Sequence, residues 1–189
     1  MTIEKRYEIF EAFNEGFFTE EAVKWLKMNG YFTAPASSKY HLAYEGGLFE
    51  HCSNVALNLI FLTNKLDLKW EREESPWLIG LLHDVCKVDQ YIWDPILKKY
   101  TWNKDQVVLG HGDKSIIYIE KHICKLTEEE NACIRWHMGA FDEKENWSKY
   151  TAAIHEYPNV LWTHSADMMA SHIVEQRSQS EGNKNGVNS

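Results

Sequence analysis

Long apolar runs are missing from this 189-residue chain. No stretch approaches the ~20 consecutive apolar residues that a transmembrane helix needs. The first residues, MTIEKRYEIF, lack both the basic start and the apolar core of a signal peptide. Cysteine is also scarce, and the four that occur form no C-x-x-C pair: Cys52, Cys86, Cys124 and Cys133. We therefore expect a cytoplasmic protein with reduced thiols and no contact with a membrane.

A surplus of basic residues is absent as well. The 20 lysines and arginines are outnumbered by 28 aspartates and glutamates, and the net charge is −8. Such a chain lacks the broad cationic surface that binds duplex nucleic acid, although a metal or a local cation could hold a nucleotide or a short single strand. Hydrophobic residues make up 44% of the chain, which is ordinary for a globular protein and sufficient for one domain with a sizeable core.

Most of the sequence has the apolar periodicity of amphipathic helices. Capping residues and proline or glycine stops delimit predicted helices at 4–15, 20–28, 48–66, 75–85, 113–124, 128–139, 148–157 and 160–176. A loop is predicted over 37–47. Alternating β-formers on either side of Asp94-Pro95 indicate a hairpin over 91–103. We therefore predict one all-α helical domain over 1–176 with a small inserted β-hairpin, followed by a disordered polar tail over 177–189.

The stretch GLLHDVCKV places His83 and Asp84 at the end of an apolar run. An ionised carboxylate is costly to bury without a partner, so a buried aspartate normally has a cation or a metal nearby. Four further residues stand at helix positions or ends that the apolar pattern turns inward: His51, His111, His137 and Asp167. Four imidazoles and two carboxylates that converge in a helical bundle would make a site for one or two divalent ions.

Each of these residues also has a structural explanation when it is taken alone. A single histidine on an apolar helix face is usually a satisfied core residue, which applies to His51 and His137. His111 lies between two glycines and could be a turn residue, whereas Asp167 could cap a helix or pair with a cation. The joint pattern favours metal, because separate buried polar positions would each need a partner of their own. Mixed nitrogen and oxygen ligands suit Mn²⁺ or Fe²⁺, with Ni²⁺, Zn²⁺ and Mg²⁺ as further candidates, better than Ca²⁺.

The order His … His-Asp … His … His … Asp resembles the HD superfamily of metal-dependent phosphohydrolases. GGLFEHCSNVALN is similar to the first motif of that superfamily and GLLHDVCKV to its signature doublet, while GHGDKS, RWHMG and HSADMMAS resemble the later motifs. The resemblance spans residues 46–170. Its style is closest to stand-alone HD hydrolases and to the catalytic part of bacterial 3′–5′ exoribonucleases. It implies an HD-domain helical bundle with metal at its centre.

The resemblance also implies how the ligands divide. It assigns two metals that share Asp84 as a bridge: His51, His83, Asp84 and Asp167 for the first, and Asp84, His111 and His137 for the second. Two departures are visible in this chain. Cys86 stands where relatives often have glycine. The Gly-Tyr-Pro extension of cyclic-dinucleotide phosphodiesterases is missing after His137, which argues against cyclic-di-GMP as a substrate.

Lys87 follows Asp84 by three residues, and relatives often carry lysine there. We predict that Lys87 contacts phosphate and that Asp84 and Lys87 are the catalytic residues; the alternative is a solvated lysine at a helix end. Metal lowers the pKa of bound water, and together with a cation it offsets charge on phosphoryl oxygens. We therefore expect a metal-dependent phosphohydrolase that uses metal-activated water on a phosphoester of a nucleotide or a short oligonucleotide.

Two other functions would use the same ligands. Some members with this ligand order are mixed-valent di-iron oxygenases that cleave C–C or C–P bonds, and the ligands alone do not separate them from hydrolases. A regulatory module that binds a nucleotide without turning it over is the third candidate. The complete set of six ligands argues against it, because a site without activity has no need of all six.

Residues near these motifs carry weaker expectations. His164 lies one helical turn before Asp167 and is expected to support the ligands. Cys86 is too isolated in the sequence to be proposed as a nucleophile. Four aromatic residues of the hairpin are expected to pack, with one ring as a wall of the site: Tyr91, Trp93, Tyr100 and Trp102.

Overall fold

The structure is a computed structural model that describes residues 1–107 and 110–176. The described residues are mostly helical, as the sequence predicts. The α-helices are α1 (Ile3–Asn14), α2 (Glu20–Met28), α3 (Gly47–Leu66), α4 (Ser75–Leu82), α5 (His111–His122), α6 (Glu128–Trp136), α7 (Trp147–Glu156) and α8 (Asn159–Met169). Short 3-10 helices span Val85–Asp89, Gly139–Phe141 and Lys144–Asn146, and a π-helical turn spans Ala170–Val174. The predicted tail over 177–189 lies outside the described residues.

The predicted β-hairpin is present between the first 3-10 helix and α5. Strands β1 (Tyr91–Asp94) and β2 (Lys99–Trp102) pair antiparallel. Asp94 organises the turn, because its side chain accepts hydrogen bonds from the backbone N–H groups of Ile96 and Leu97 at 2.8 and 2.9 Å. An aspartate at the start of a turn commonly acts in this way.

Capping residues begin two of the helices as predicted. The side chain of Thr19 accepts a hydrogen bond from the backbone N–H of Ala22 at the start of α2. Thr127 and Glu130 form a capping box at the start of α6. Glu130 is fully buried and also accepts hydrogen bonds from Arg72 at 2.6 and 2.7 Å and from the Ser75 hydroxyl at 2.8 Å. The carboxylate therefore joins the start of α6 to the start of α4.

Helices α3 and α4 approach each other more closely than ordinary side chains would permit. A Cβ atom on Gly80 of α4 would lie 2.3 Å from the Cα atom of Ala56 in α3. The same two helices carry fully buried leucine, valine and isoleucine side chains: Leu48, Val55, Leu59, Leu78, Ile79 and Leu82. Helix α8 packs against both α3 and α6. This arrangement places the polar residues of α3, α4, α6 and α8 around one interior point.

Among the helix ends that differ from the sequence prediction, those of α4 and of the last helix affect polar residues of the candidate site. Helix α4 stops at Leu82 and not at Val85, and Asp84 adopts φ −107° and ψ 14° before the 3-10 helix begins. Consecutive side chains of a continuous α-helix point about 100° apart, so the break allows His83 and Asp84 to face the same interior point. The predicted last helix is divided into α8 and the π-helical turn, a feature that is frequent at functional sites.

All four cysteines are free thiols, which agrees with the expectation from the sequence. Within the described ranges, we find no helix that combines the length and the apolar character needed to cross a membrane.

The close contact of α3 with α4 predicts the sign of a glycine substitution. Helix propensity alone would make Gly80→Ala stabilising by about 1 kcal/mol. Because the added methyl group meets backbone atoms of Ala56, we expect the opposite, a loss of about 1–3 kcal/mol from overpacking. Urea denaturation measures the change in the free energy of unfolding. A variant as stable as the parent, or more stable, would show that the two helices are not held this closely.

Candidate metal centre

The six predicted ligands lie together at one interior point. His51 is in the second turn of α3, His83 and Asp84 follow α4, His111 is the first residue of α5, His137 follows α6, and Asp167 is in α8. Four of them are at most 2% exposed: His51, His83, Asp84 and His137. The structure thus brings together all of the residues that the sequence singled out, while their role as metal ligands stays a prediction.

The carboxylate of Asp84 lies between two pairs of imidazoles. Its Oδ1 atom is 2.6 Å from Nε2 of His111 and 3.6 Å from Nε2 of His137. Its Oδ2 atom is 3.5 Å from Nε2 of His51 and 3.6 Å from Nε2 of His83. Each oxygen therefore faces one pair of ring nitrogens, as a carboxylate that bridges two ions would do.

Asp167 completes the group on one side. Its Oδ1 atom is 3.2 Å from Nε2 of His51, and His51, His83 and Asp167 offer ligand atoms that lie within 4.8 Å of one another. We call this group, together with Oδ2 of Asp84, the Oδ2 side. His111 and His137, together with Oδ1 of Asp84, form the Oδ1 side.

Backbone carbonyls fix the rings of His83 and His137. Nδ1 of His83 is 2.9 Å from the carbonyl oxygen of Gly80, and Nδ1 of His137 is 2.7 Å from that of Ile134. A carbonyl oxygen only accepts, so each Nδ1 carries a proton and donates it, and in the neutral ring the free electron pair is then on Nε2. Both Nε2 atoms are buried and have no hydrogen-bond partner among the described residues. Ring nitrogens that converge on a carboxylate suit a metal ion.

The electrostatics of the Oδ2 side favour added positive charge. Burial alone would lower the pKa of His51, but hydrogen bonds with Asp167 and Glu175 outweigh burial and raise it to about 10. Although burial opposes the effect, His51 in turn holds the pKa of Asp167 well below its usual range. His83 has little such compensation, and burial lowers its pKa to about 3.

The pKa values on the Oδ1 side also favour the binding of a cation. Burial would lower the pKa of His111, but the neighbouring Cys86 and Asp84 outweigh it and raise the pKa to about 10. Burial would raise the pKa of Asp84, yet Lys87, His83 and His111 hold it well below its usual range. An ionised carboxylate that draws protons onto nearby imidazoles is a group that a divalent ion would satisfy.

Lys87 already places a cation at this carboxylate. Its Nζ atom is 2.6 Å from Oδ2 of Asp84, and its side chain is only 12% exposed. The alternative that Lys87 is a solvated residue at a helix end is therefore wrong. Lys87 lines the larger cavity beside the carboxylate, and its contact with phosphate stays a prediction.

Glu175 is a residue of the centre that the sequence interpretation missed. Its Oε1 atom accepts a hydrogen bond from Nδ1 of His51 at 2.9 Å, and Asn54 donates to the same oxygen at 3.4 Å. Glu175 is 1% exposed, and its Oε2 atom has no partner in the described part of the chain. The π-helical turn after α8 places it on the same imidazole as Asp167. The spacing of eight residues from Asp167, roughly two helical turns, was the available signal.

His41 was also missed, and the sequence carries no signal for it. It lies in the predicted loop, where apolar periodicity is absent, and its ring centroid is 5.0 Å from that of His51. Its Nε2 atom is buried and has no hydrogen-bond partner within 1–107 and 110–176. His41 belongs to the wall around the centre.

The remaining expectations have mixed outcomes. Cys86 is not isolated in space, because its Sγ atom is 3.2 Å from Nδ1 of His111. The Nδ1 atom of His164 is 2.7 Å from the backbone carbonyl oxygen of His137, and its support of the ligands stays a prediction. Tyr91 and Trp102 line a cavity, which agrees with a ring as a wall of the site. The expectation that the hairpin aromatics are packed is wrong for Trp93 and Trp102, which are 53% and 57% exposed.

Two adjoining cavities open above the centre. The larger has a volume of about 710 Å³ and reaches His51, Asp84 and Asp167. The smaller has a volume of about 440 Å³ and reaches His111 and Cys86. Four residues line both: Tyr40, His41, Lys87 and Met138. Each cavity lies in the range of about 300–1,000 Å³ that is usual for small-molecule sites.

Comparisons with protein-family models, with curated proteins and with solved structures find no match to this chain. Nitrogen and oxygen donors that converge, buried nitrogens without partners and imidazoles of raised pKa fit one or two divalent ions.

The division of the donors predicts the metal content of histidine variants. If His111 and His137 hold an ion on the Oδ1 side, His111→Ala and His137→Ala should each lower the metal-to-protein ratio from two towards one. Asp84→Asn should remove both ions, because it weakens the shared ligand. Elemental analysis of folded protein measures the ratio, with His155→Ala on the exposed face of α7 as the control. An unchanged metal-to-protein ratio in both alanine variants would contradict the second ion and would indicate that His111 is a turn residue and His137 a core residue.

The contact of Glu175 with His51 predicts a loss of metal affinity on the Oδ2 side. Carboxylates that bind the second ring nitrogen of a ligand histidine fix its orientation, and their loss typically weakens metal binding about 10–100-fold. We expect such a loss for Glu175→Ala and a smaller one for Glu175→Gln, which keeps an oxygen acceptor but not the charge. Competition with a chromophoric chelator measures the affinity, and Glu156→Ala, at an exposed carboxylate, is the control. Equal affinity in all four proteins would contradict the role of Glu175.

Proposed function

We propose that this chain is a metal-dependent phosphohydrolase of the HD type that cleaves a phosphoester of a nucleotide or a short oligonucleotide. One observation carries the proposal: a buried, ionised carboxylate faces an imidazole pair at each oxygen, beside two cavities of ligand size. The motif order in the sequence supports the same assignment. The free thiols fit the cytoplasm, where we place the protein.

The residues that would hold the ions follow from the geometry of the carboxylate. The Oδ2 side would hold one divalent ion and the Oδ1 side a second, with Asp84 shared between them. Ions bound there would lower the pKa of a water molecule towards neutrality and offset charge on phosphoryl oxygens. Their presence would also explain why buried Nε2 atoms of His83 and His137 lack partners among the described residues.

Lys87 supplies the positive charge that the protein itself brings to a phosphate. It lines both cavities, so it stands where they meet. Its ammonium is held at Oδ2 of Asp84, within the ion-binding group and not in solvent. A phosphoryl oxygen at the junction would therefore meet Lys87 and the centre together, which is the arrangement that stabilises charge on a transferring phosphoryl group.

The cavity walls suit the organic part of a nucleotide. Trp102 and Tyr91 line the smaller cavity, and Tyr40, which is 79% exposed, stands over both cavities. Aromatic side chains at such positions stack on bases without strong sequence preference. Methionine and phenylalanine side chains add an apolar surface to the larger cavity: Met138, Phe141 and Met168. A small phosphorylated substrate fits these features better than duplex nucleic acid.

The proposal is tested by phosphate release under anaerobic conditions. We expect purified protein with Mn²⁺ to release phosphate or a nucleoside product from members of a panel of nucleotides and dinucleotides. Asp84→Asn should abolish the Mn²⁺-dependent turnover, because it weakens the ligand that both ions share. Asp105→Asn changes an exposed carboxylate of the loop before α5 and should leave the rate unchanged.

Other results would select one of the competing functions. Turnover that strictly requires O₂ and bound iron would indicate an oxygenase. Nucleotide binding by the metal-loaded protein with no turnover across the panel would indicate a regulatory module.

A further inference from the structure

The sulfur of Cys86 lies within the candidate centre. Cys86 follows Asp84 by two residues in the 3-10 helix and is 1% exposed. Its Sγ atom is 3.2 Å from Nδ1 and 4.0 Å from Nε2 of His111. Its backbone N–H donates to the hydroxyl of Ser115 in α5 at 3.2 Å. The hydrogen bond to Ser115 thus connects the 3-10 helix to α5, and the thiol contacts His111, the first residue of α5.

The donors around this sulfur are spaced as metal ligands can be. Asp84, Cys86 and His111 offer ligand atoms that lie within 4.8 Å of one another. His137 adds an independent indication, because its buried Nε2 atom has no partner among the described residues and is 3.6 Å from Oδ1 of the same carboxylate. These four residues would provide two nitrogens, one oxygen and one sulfur.

A thiol is better suited to a metal than to the hydrogen bond seen here. The S–H group is a weak donor and sulfur a weak acceptor, whereas thiolate is among the strongest protein ligands for Zn²⁺. The rings of His83 and His137 are each fixed by a carbonyl oxygen. Among the described residues, the His111 ring instead contacts the Cys86 sulfur and the Asp84 carboxylate. Its side chain is 26% exposed, which leaves the ring more room to adjust to an ion.

We propose that Cys86 is a direct ligand of the ion on the Oδ1 side, together with Asp84, His111 and His137. The inference rests on the proposed metal centre and adds a ligand to it. When the ion binds, the sulfur–hydrogen bond breaks, the proton passes to solvent and the sulfur bonds to the ion, with no change of oxidation state. The two positions then differ, since the Oδ2 side has only nitrogen and oxygen donors. A thiolate makes the Oδ1 side favour Zn²⁺, Fe²⁺ or Co²⁺ over Mn²⁺ and Mg²⁺.

Cobalt provides a test that does not depend on activity. Metal-free protein is titrated with Co²⁺ under anaerobic, reducing conditions while its absorption spectrum is recorded. A thiolate ligand gives a charge-transfer band in the near ultraviolet, and nitrogen and oxygen ligands do not. We expect the band in the parent protein, its loss in Cys86→Ser and its retention in Cys124→Ser, a half-buried thiol outside the centre.

Affinity separates a ligand from a partner that only orients one. Cys86→Ser should weaken Zn²⁺ binding on the Oδ1 side by more than about a hundredfold, beyond the usual range for orienting partners. It should weaken Mn²⁺ binding much less. Circular dichroism of the variant confirms that it is folded, and Cys86→Ala serves as a second variant if serine itself binds the ion.

The outcomes distinguish this inference from the proposed function. Bound Co²⁺ without the band, or a band that persists in Cys86→Ser, would overturn the thiolate ligand and leave the metal centre intact. A protein that binds no Co²⁺ at all would overturn the ligand and the metal-dependent function together.

Discussion

The buried carboxylate of Asp84 is the group on which the centre depends. Charge buried this deeply is stable only with compensation, and Lys87 supplies it together with His51 and His111, whose pKa values are raised. The rings of His83 and His137 face the same carboxylate from the ends of α4 and α6. The helices that carry these donors must therefore pack around one point. The close approach of α3 and α4 at Gly80 is part of that requirement, because it brings His51 and His83 to the same oxygen.

Departures from regular helix occur where the donors converge. Helix α4 ends one residue before His83, and Asp84 lies in the sparsely populated region between helix and strand conformations. The π-helical turn after α8 also brings polar side chains together, because it lets Asp167 and Glu175 contact the two different ring nitrogens of His51. In both places, a regular α-helix would direct neighbouring polar side chains towards different surroundings. The end of α4 and the π-helical turn therefore direct these polar side chains towards the candidate metal centre.

Much of the fold could be predicted because local rules determine it. Apolar periodicity located the helices, and the capping box at Thr127 and the turn at Asp94 have short-range causes. The ligand candidates were found because polar residues interrupt apolar faces. The sequence interpretation missed the positions of Cys86 and His41 at the centre. Each is placed there by a contact with a histidine distant in sequence, and apolar periodicity carries no information on such contacts. The end of α4 at Leu82 was also not predicted, because tertiary contacts of the Asp84 carboxylate override an apolar pattern that favours a longer helix.

The protein's own cations balance much of the negative charge of this cluster. Raised pKa values at His51 and His111 mean that protons supply positive charge near neutral pH, and Lys87 supplies more at Oδ2 of Asp84. An entering divalent ion must displace these protons, so metal affinity rises with pH through that range. Because the cluster is already neutralised by its own residues, folding need not wait for metal.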